Sequence, residues 1–136
     1  MLELKDVTVR YGKHLALDAA NFSVAKGEVV VVLGANGAGK SSLLKAIAGM
    51  VPTAGGSVTL NGEAMSGVAA YDVTNRGIAL VPEGRGIVGR MTVEENLRLG
   101  ATPPRARASE DETLAQVFDI FPRLAERRKQ FVPTMS

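Results

Sequence analysis

The sequence contains no cysteine and no tryptophan, and only one histidine, His14. The missing thiols exclude disulfide staples, thiolate metal sites and a cysteine nucleophile. A single histidine argues against a histidine-based zinc site or a histidine relay. Charge of one sign is also lacking, because 16 Lys and Arg face 14 Asp and Glu for a net charge of +2. That balance gives no reason to expect nucleic acid, although a pI near 9.2 alone would permit it. The longest apolar run, Val29 to Leu33, is far short of the roughly 20 residues that span a bilayer. The N-terminus, MLELKDVTVR, carries charges where a signal peptide needs an apolar core. A soluble, cytoplasmic chain is expected, with any membrane role supplied by a partner. What is present is ordinary for a globular domain: 136 residues, 46% hydrophobic and 22% charged. A chain of this length buries roughly 68% of its unfolded surface.

Along residues 2–9, apolar side chains fall at Leu2 and Leu4 and then at Val7 and Val9. This is a period of two with a parity slip at Asp6, which predicts a strand carrying a bulge. Phe22 and Val24 mark a second strand before the turn Lys26-Gly27. Residues 28–33 (EVVVVL) are continuously apolar and β-branched after Glu28, the pattern of a strand buried on both faces of a parallel sheet. A glycine-rich loop follows at 34–39, and then a helix from Lys40 with Leu43, Leu44 and Ile47 on one face and Gly49 as its stop. Val58-Thr59-Leu60 with Asn61-Gly62 predicts a strand entering a tight hairpin, and residues 78–81 (IALV) a short buried strand ended by Pro82. Beyond Pro82 the pattern turns helical. Thr92 with Glu95, and Ser109 with Glu112, have capping-box spacing. Residues 101–108, with Pro103 and Pro104, read as a linker. Leu114, Val117, Phe118 and Phe121 form the apolar face of the next helix. Arg123, Arg127, Arg128 and Lys129 read as a solvated helix face, since no aromatics interleave to stack on bases.

Gly34-Ala35-Asn36-Gly37-Ala38-Gly39-Lys40-Ser41 is a complete G-x-x-x-x-G-K-[ST] motif. The chemistry explains the spacing. Glycines let the backbone curl so that several N–H groups point into one concavity, and the helix behind adds its partial positive charge. The Lys40 ammonium reaches β- and γ-phosphates, and the Ser41 hydroxyl ligates Mg²⁺. A chance match in a chain this long is well under ~5%. Binding of a nucleoside triphosphate is the expectation.

The chain resembles the ATP-binding subunits of ABC transporters in LELKDVTVRYG, GANGAGKSSLLKAIAG, GSVTLNGE and GIALVPEGRGIVGRMTVEENLRLGA. The resemblance implies ATP and Mg²⁺ as ligand and cofactor. It assigns ATP binding to Gly34, Asn36, Gly37, Ala38, Gly39, Lys40, Ser41 and Ser42, with Ser42 near the α-phosphate. It also implies that Tyr11 stacks on adenine, whereas the residues alone equally allow a tyrosine closing a Tyr-Gly turn. Glu83 stands where most of the family has the Q-loop glutamine that senses metal and γ-phosphate and contacts the membrane subunit, so Ser41 and Glu83 are the implied metal ligands. Read without the family, the strand ending at Pro82 and the loop of Glu83, Gly84, Arg85 and Gly86 make a mobile connection beside a phosphate site, the alternative for Glu83 and Arg85 being a solvated loop pair. VPEGR followed by MTVEENL is most similar to the second ATPase of branched-chain amino-acid importers, and urea and amide importers share much of this segment. Implied partners are a second ATP-binding subunit in a head-to-tail dimer, transmembrane permease subunits and, indirectly, a periplasmic or extracellular solute-binding protein, but no nucleic acid. The implied location is peripheral, on the cytoplasmic face of the inner membrane.

In the family, a serine at the place of Ser136 opens the signature motif, after which come Walker B, the catalytic glutamate and the switch histidine. None of the paired acids follows a four-residue apolar run, and His14 lies too early to be the switch. No catalytic residue is therefore expected within this chain, which reads as the front part of a longer ATPase and as inactive alone. The expected fold is α/β: a P-loop NTPase (ABC ATPase) core with an N-terminal antiparallel β subdomain and the start of a helical subdomain, ending before Walker B. Residues 1–90 are expected to form the nucleotide-binding core and 91–136 the start of the helical subdomain. Two other readings stand beside the importer: a nucleic-acid-linked ABC ATPase, and a non-catalytic nucleotide-binding module.

Overall fold

The computed structural model describes residues 1–84 and 86–134. Arg85, expected as a loop cation, and Ser136, expected to open a signature motif, lie outside the described residues. The described chain falls into two units, Met1–Leu80 and a second from Val81 onward.

The first unit is built on β1 (Leu2–Tyr11), β2 (His14–Val24), β3 (Gly55–Leu60) and β4 (Glu63–Ala64). They form one antiparallel sheet in the order β2-β1-β3-β4. The parity slip at Asp6 is a real bulge: pairing with β2 shifts between Leu4 and Val7, and Asp6 takes φ 50°. Asn21 fastens it, accepting from the Asp6 N–H at 3.0 Å and donating to the Asp6 carboxylate at 2.8 Å. The slip restores Val7 and Val9 to the buried side beside Leu4 and Val58. Each such burial is worth about 1.5–3 kcal/mol. Asn61 and Gly62, at φ 51° and 86°, make the β3–β4 turn that their pairing predicts.

Helix α1 (Lys40–Ile47) lays Leu43, Ala46 and Ile47 into the same core, and Gly49 at φ 69° follows its end. Leu44, expected on the buried face, is exposed; Ala46 takes that place, because residues three apart in the row Leu43–Ala46 and their neighbour Ile47 share the face turned to the core. Helix α2 (Ala70–Asn75) buries Val73 and has no sequence cap: Ala69 precedes it and makes no side-chain bond.

Two expected buried strands do not form. Residues 28–33 form no regular element, pair with no strand among the described residues and are exposed, with Val29 at 90%, Val31 at 72% and Leu33 at 86%. Residues 78–81 are likewise unpaired; Ile78 packs on the core while Val81 is 83% exposed. An apolar run becomes a strand only where another strand satisfies its N–H and C=O groups. The four strands of the sheet pair with one another and with neither of these runs.

The second unit is helical: α3 (Val93–Arg98), α4 (Pro104–Arg107), α5 (Glu110–Ile120) and α6 (Pro122–Glu126). The Thr92/Glu95 capping box closes in both directions. That of Ser109 does not: φ −118°, ψ 20° is not the extended cap geometry, and its side chain accepts no bond. The expected linker contains α4, because Pro104 sits at the first helical position, where its missing N–H costs nothing. The apolar face of α5 is only half-buried and Phe121 is exposed. The basic residues from Arg123 to Lys129 do not share one helix face, since α6 ends at Glu126.

Candidate functional site

The glycine-rich loop connects the exposed segment 28–33 to α1. Gly37 and Gly39 hold φ values of 85° and 87°, which an L side chain rarely adopts. The Ala38 N–H donates to the Ala35 carbonyl at 3.2 Å, tightening the curl. Lys40 folds back across the loop, and its Nζ donates to the Gly34 carbonyl at 2.6 Å and the Ala35 carbonyl at 2.7 Å. The ammonium is thereby pinned where the loop begins, although its Cα lies where the loop ends. Gly39 caps α1 without a side-chain bond, and no acidic residue lies in the first turn. The positive end of α1 is therefore not neutralised from within its own first turn, which suits a multiply charged anion.

The structure brings Gly34, Asn36, Gly37, Ala38, Gly39, Lys40, Ser41 and Ser42 together as one loop and first helical turn. Ser41 is exposed and Ser42 half-buried. Tyr11 belongs to the same unit. It ends β1 opposite His14 across a two-residue turn, with Gly12 at φ 59°, and its side chain is 45% exposed. Glu83 lies in the second unit, exposed, in the turn after Pro82.

The residues fit Mg²⁺ in one particular way. Among the described residues no group of three His, Asp or Glu side chains could cage a metal. Magnesium commonly keeps waters and takes one or two protein oxygens together with phosphates, and the exposed Ser41 hydroxyl next to Lys40 has the chemistry of such an oxygen.

Sequence reasoning missed the underside of the loop. A Cβ at Gly39 would overlap the carbonyl oxygen of Ala16 and stand 3.3 Å from Leu17 Cδ1, so β2 presses directly on the loop. The signal available was the apolar run Leu15-Ala16-Leu17.

In the second unit, Asn96 accepts from the Val88 N–H and donates to the carbonyls of Val88, Met91 and Thr92, gathering the segment before α3. Arg98 meets Glu94, Glu110 and Asp111, with Glu110 contributing most to raising its pKa. Beside it a cleft of about 250 Å³ is lined by Leu97, Ala101, Ala106, Leu114 and Val117. Among the described residues no helix is long and apolar enough to cross a membrane.

Comparison with known proteins agrees with this geometry. The family described as ABC transporter matches residues 17–136. The high-affinity branched-chain amino acid transport ATP-binding protein BraG of Pseudomonas aeruginosa is 42% identical over 139 residues, covering 100% of this chain and 58% of the relative. The arabinose import ATP-binding protein AraG 2 of Burkholderia cenocepacia is 38% identical over 134 residues, covering 98% of this chain and 26% of the relative. The chain thus spans little more than half the length of one of these relatives and about a quarter of the other. Among solved structures, an ATP-binding subunit of an ABC transporter superposes with TM-score 0.84 at 31% identity, covering the whole of this chain and 56% of the other. A cassette in its ADP conformation superposes with TM-score 0.78 at 25% identity, over 59% of its length. A family match over residues 17–136, on a fold shared with ATP-binding cassettes, means that this chain belongs to the ABC transporter family of ATP-binding proteins.

Proposed function

We propose that the chain carries the ATP-binding part of an importer ATPase that couples ATP hydrolysis to uptake of branched-chain amino acids. The observation that carries ATP binding is the loop from Gly34 to Ser41, curled at Gly37 and Gly39 beneath an uncapped helix end, with Lys40 held across it. Branched-chain amino acids are favoured by the 42% identity to BraG over the whole chain; arabinose importers follow at 38%, and the ribose import protein RbsA of Yersinia pestis at 32%. In this reading residues 1–90 form the nucleotide-binding core and 91–136 begin a helical subdomain.

Backbone N–H groups of the loop bind the phosphates, Lys40 offsets the charge at the β- and γ-positions, and Ser42 lies near the α-phosphate. Tyr11 stacks on the adenine. Ser41 supplies an oxygen to Mg²⁺, which when bound neutralises charge on the terminal phosphates. The partners are a second ATP-binding subunit, permease subunits and, through them, a solute-binding protein, and the site of action is the cytoplasmic face of the membrane.

The test is Lys40→Ala. It should abolish measurable ATP binding in calorimetry while the far-ultraviolet circular dichroism stays unchanged. Equal affinity in variant and wild type would remove the phosphate-loop reading.

A further inference from the structure

The glycine at the base of the phosphate loop is not only permissive of a left-handed backbone; it is also in contact with another strand. At Gly39 a Cβ would overlap the Ala16 carbonyl and lie 3.3 Å from Leu17 Cδ1. Leu17 is half-buried, packs against the core cluster, and pairs with Val9 on the central strand. Just beyond it β2 carries its own bulge. Ala19 takes φ 42°, its N–H donates to Thr8 Oγ1 at 3.1 Å, and Asn21 Nδ2 donates to its carbonyl at 2.9 Å. The pairing shift between Val7/Ala20 and Val9/Leu17 places that bulge between the sheet body and the stretch touching Gly39. The strand is therefore fixed on one side by polar stitches and on the other by the loop.

We infer that Leu17 is a positioning residue for the phosphate loop: the β1–β2 hairpin braces Gly39 from below through the Leu17 side chain and the Ala16 carbonyl, holding the loop's N–H groups in the geometry that receives phosphate. This rests on the phosphate-loop reading and assigns that site a support outside its motif. The same hairpin ends in Tyr11, so one rigid element sets both the base-facing tyrosine and the floor of the phosphate site. A preorganised anion site loses affinity when its support loosens by a fraction of an ångström, whereas loss of general stability has no such local effect.

The experiment measures binding of inorganic tripolyphosphate to the 136-residue chain, since this probe has no base and reports on the loop alone. Leu17→Ala should weaken it about tenfold, a scale consistent with sub-ångström misplacement, and Leu17→Met should restore it. Val73→Ala is the control: it cuts a side chain in the same core, against Gly49 beyond the far end of α1, and should lower the Tm without weakening tripolyphosphate. The inference is overturned if Leu17→Ala binds as the wild type does, or if Val73→Ala loses as much affinity as Leu17→Ala. If wild-type chain binds neither tripolyphosphate nor ATP, the phosphate-loop reading itself fails, an outcome distinct from both.

Discussion

Strand β1 and the segment 28–33 are both rich in apolar residues, yet they have opposite fates. β1 is flanked on both sides, by β2 and β3, and buries Leu4, Val7 and Val9. Residues 28–33 are more hydrophobic and more β-branched than β1, but they find no pairing partner among the described residues and lie exposed. Composition and propensity favour the second segment; hydrogen-bond partners decide for the first. Propensity for β structure measures how well a side chain suits a pleated surface, and it does not supply the neighbouring strand.

The largest effect expected from this contrast is on association. Unpaired, exposed apolar segments template pairing between copies, so the 136-residue chain should be oligomeric or aggregation-prone in light scattering. Replacing Val29 and Val31 together by lysine should shift it toward monomer. A monodisperse wild-type monomer would break the comparison.

The same residue type can be cut in both segments. Leu4→Ala, at 2% exposure, should cost about 3 kcal/mol, whereas Leu33→Ala, at 86%, should stay within about 0.5 kcal/mol. Denaturant midpoints of the two variants decide this, and similar shifts would mean that Leu33 is covered in solution.

A smaller effect belongs to Tyr11, where the paired strand ends. Tyr11→Ala should weaken ATP binding by about 1–3 kcal/mol, the scale of aromatic–base stacking, and Tyr11→Phe should be tolerated. Equal losses in both would assign the effect to the hydroxyl.

The smallest effect is in the helical unit, at the start of α3. Thr92→Ala removes the cap of α3 and should cost about 1 kcal/mol in thermal melts. Donation from the Thr92 backbone N–H, then from its hydroxyl, holds the Glu95 carboxyl below its ordinary pKa. A carboxyl lowered in the folded state stabilises above its unfolded pKa, near 4.5, and loses that contribution as pH falls through the lower folded value. Glu95→Gln should therefore flatten the acid limb of helix content in circular dichroism; an unchanged limb would show the box to be without effect on α3.

The contrast also explains which features were legible. The Asp6 bulge, the Asn61-Gly62 turn, the start of α1 and the Thr92 box are written in residues that act on their own backbone or immediate neighbours. The curl of the glycine loop is legible for the same reason, because Gly37, Gly39 and Lys40 act on neighbouring backbone. Helix α2 was silent because Ala69 gives no cap and its hold is the burial of Val73. Ser109 promised a box that its backbone angles do not allow. Whether 28–33 and 78–81 pair as strands, and whether Ala16 touches Gly39, depends on elements distant in sequence, which no local pattern records.

The bulge in β1 has a consequence for how the sheet finds its alignment. Asp6 at φ 50°, Ala19 at φ 42° and Gly56 at φ 75° lie on three adjacent strands. A side chain at Gly56 would strike the carbonyls of Lys5 and Asp6, and Asn21 grips Asp6 from the other edge. A slip of one residue would turn the buried face to water, as in any sheet. A slip of two would keep the faces but carry the kink away from both the glycine that makes room for it and the asparagine that holds it. The irregularity thus works like a pawl in a ratchet, rejecting the misalignment that hydrophobic patterning alone would accept.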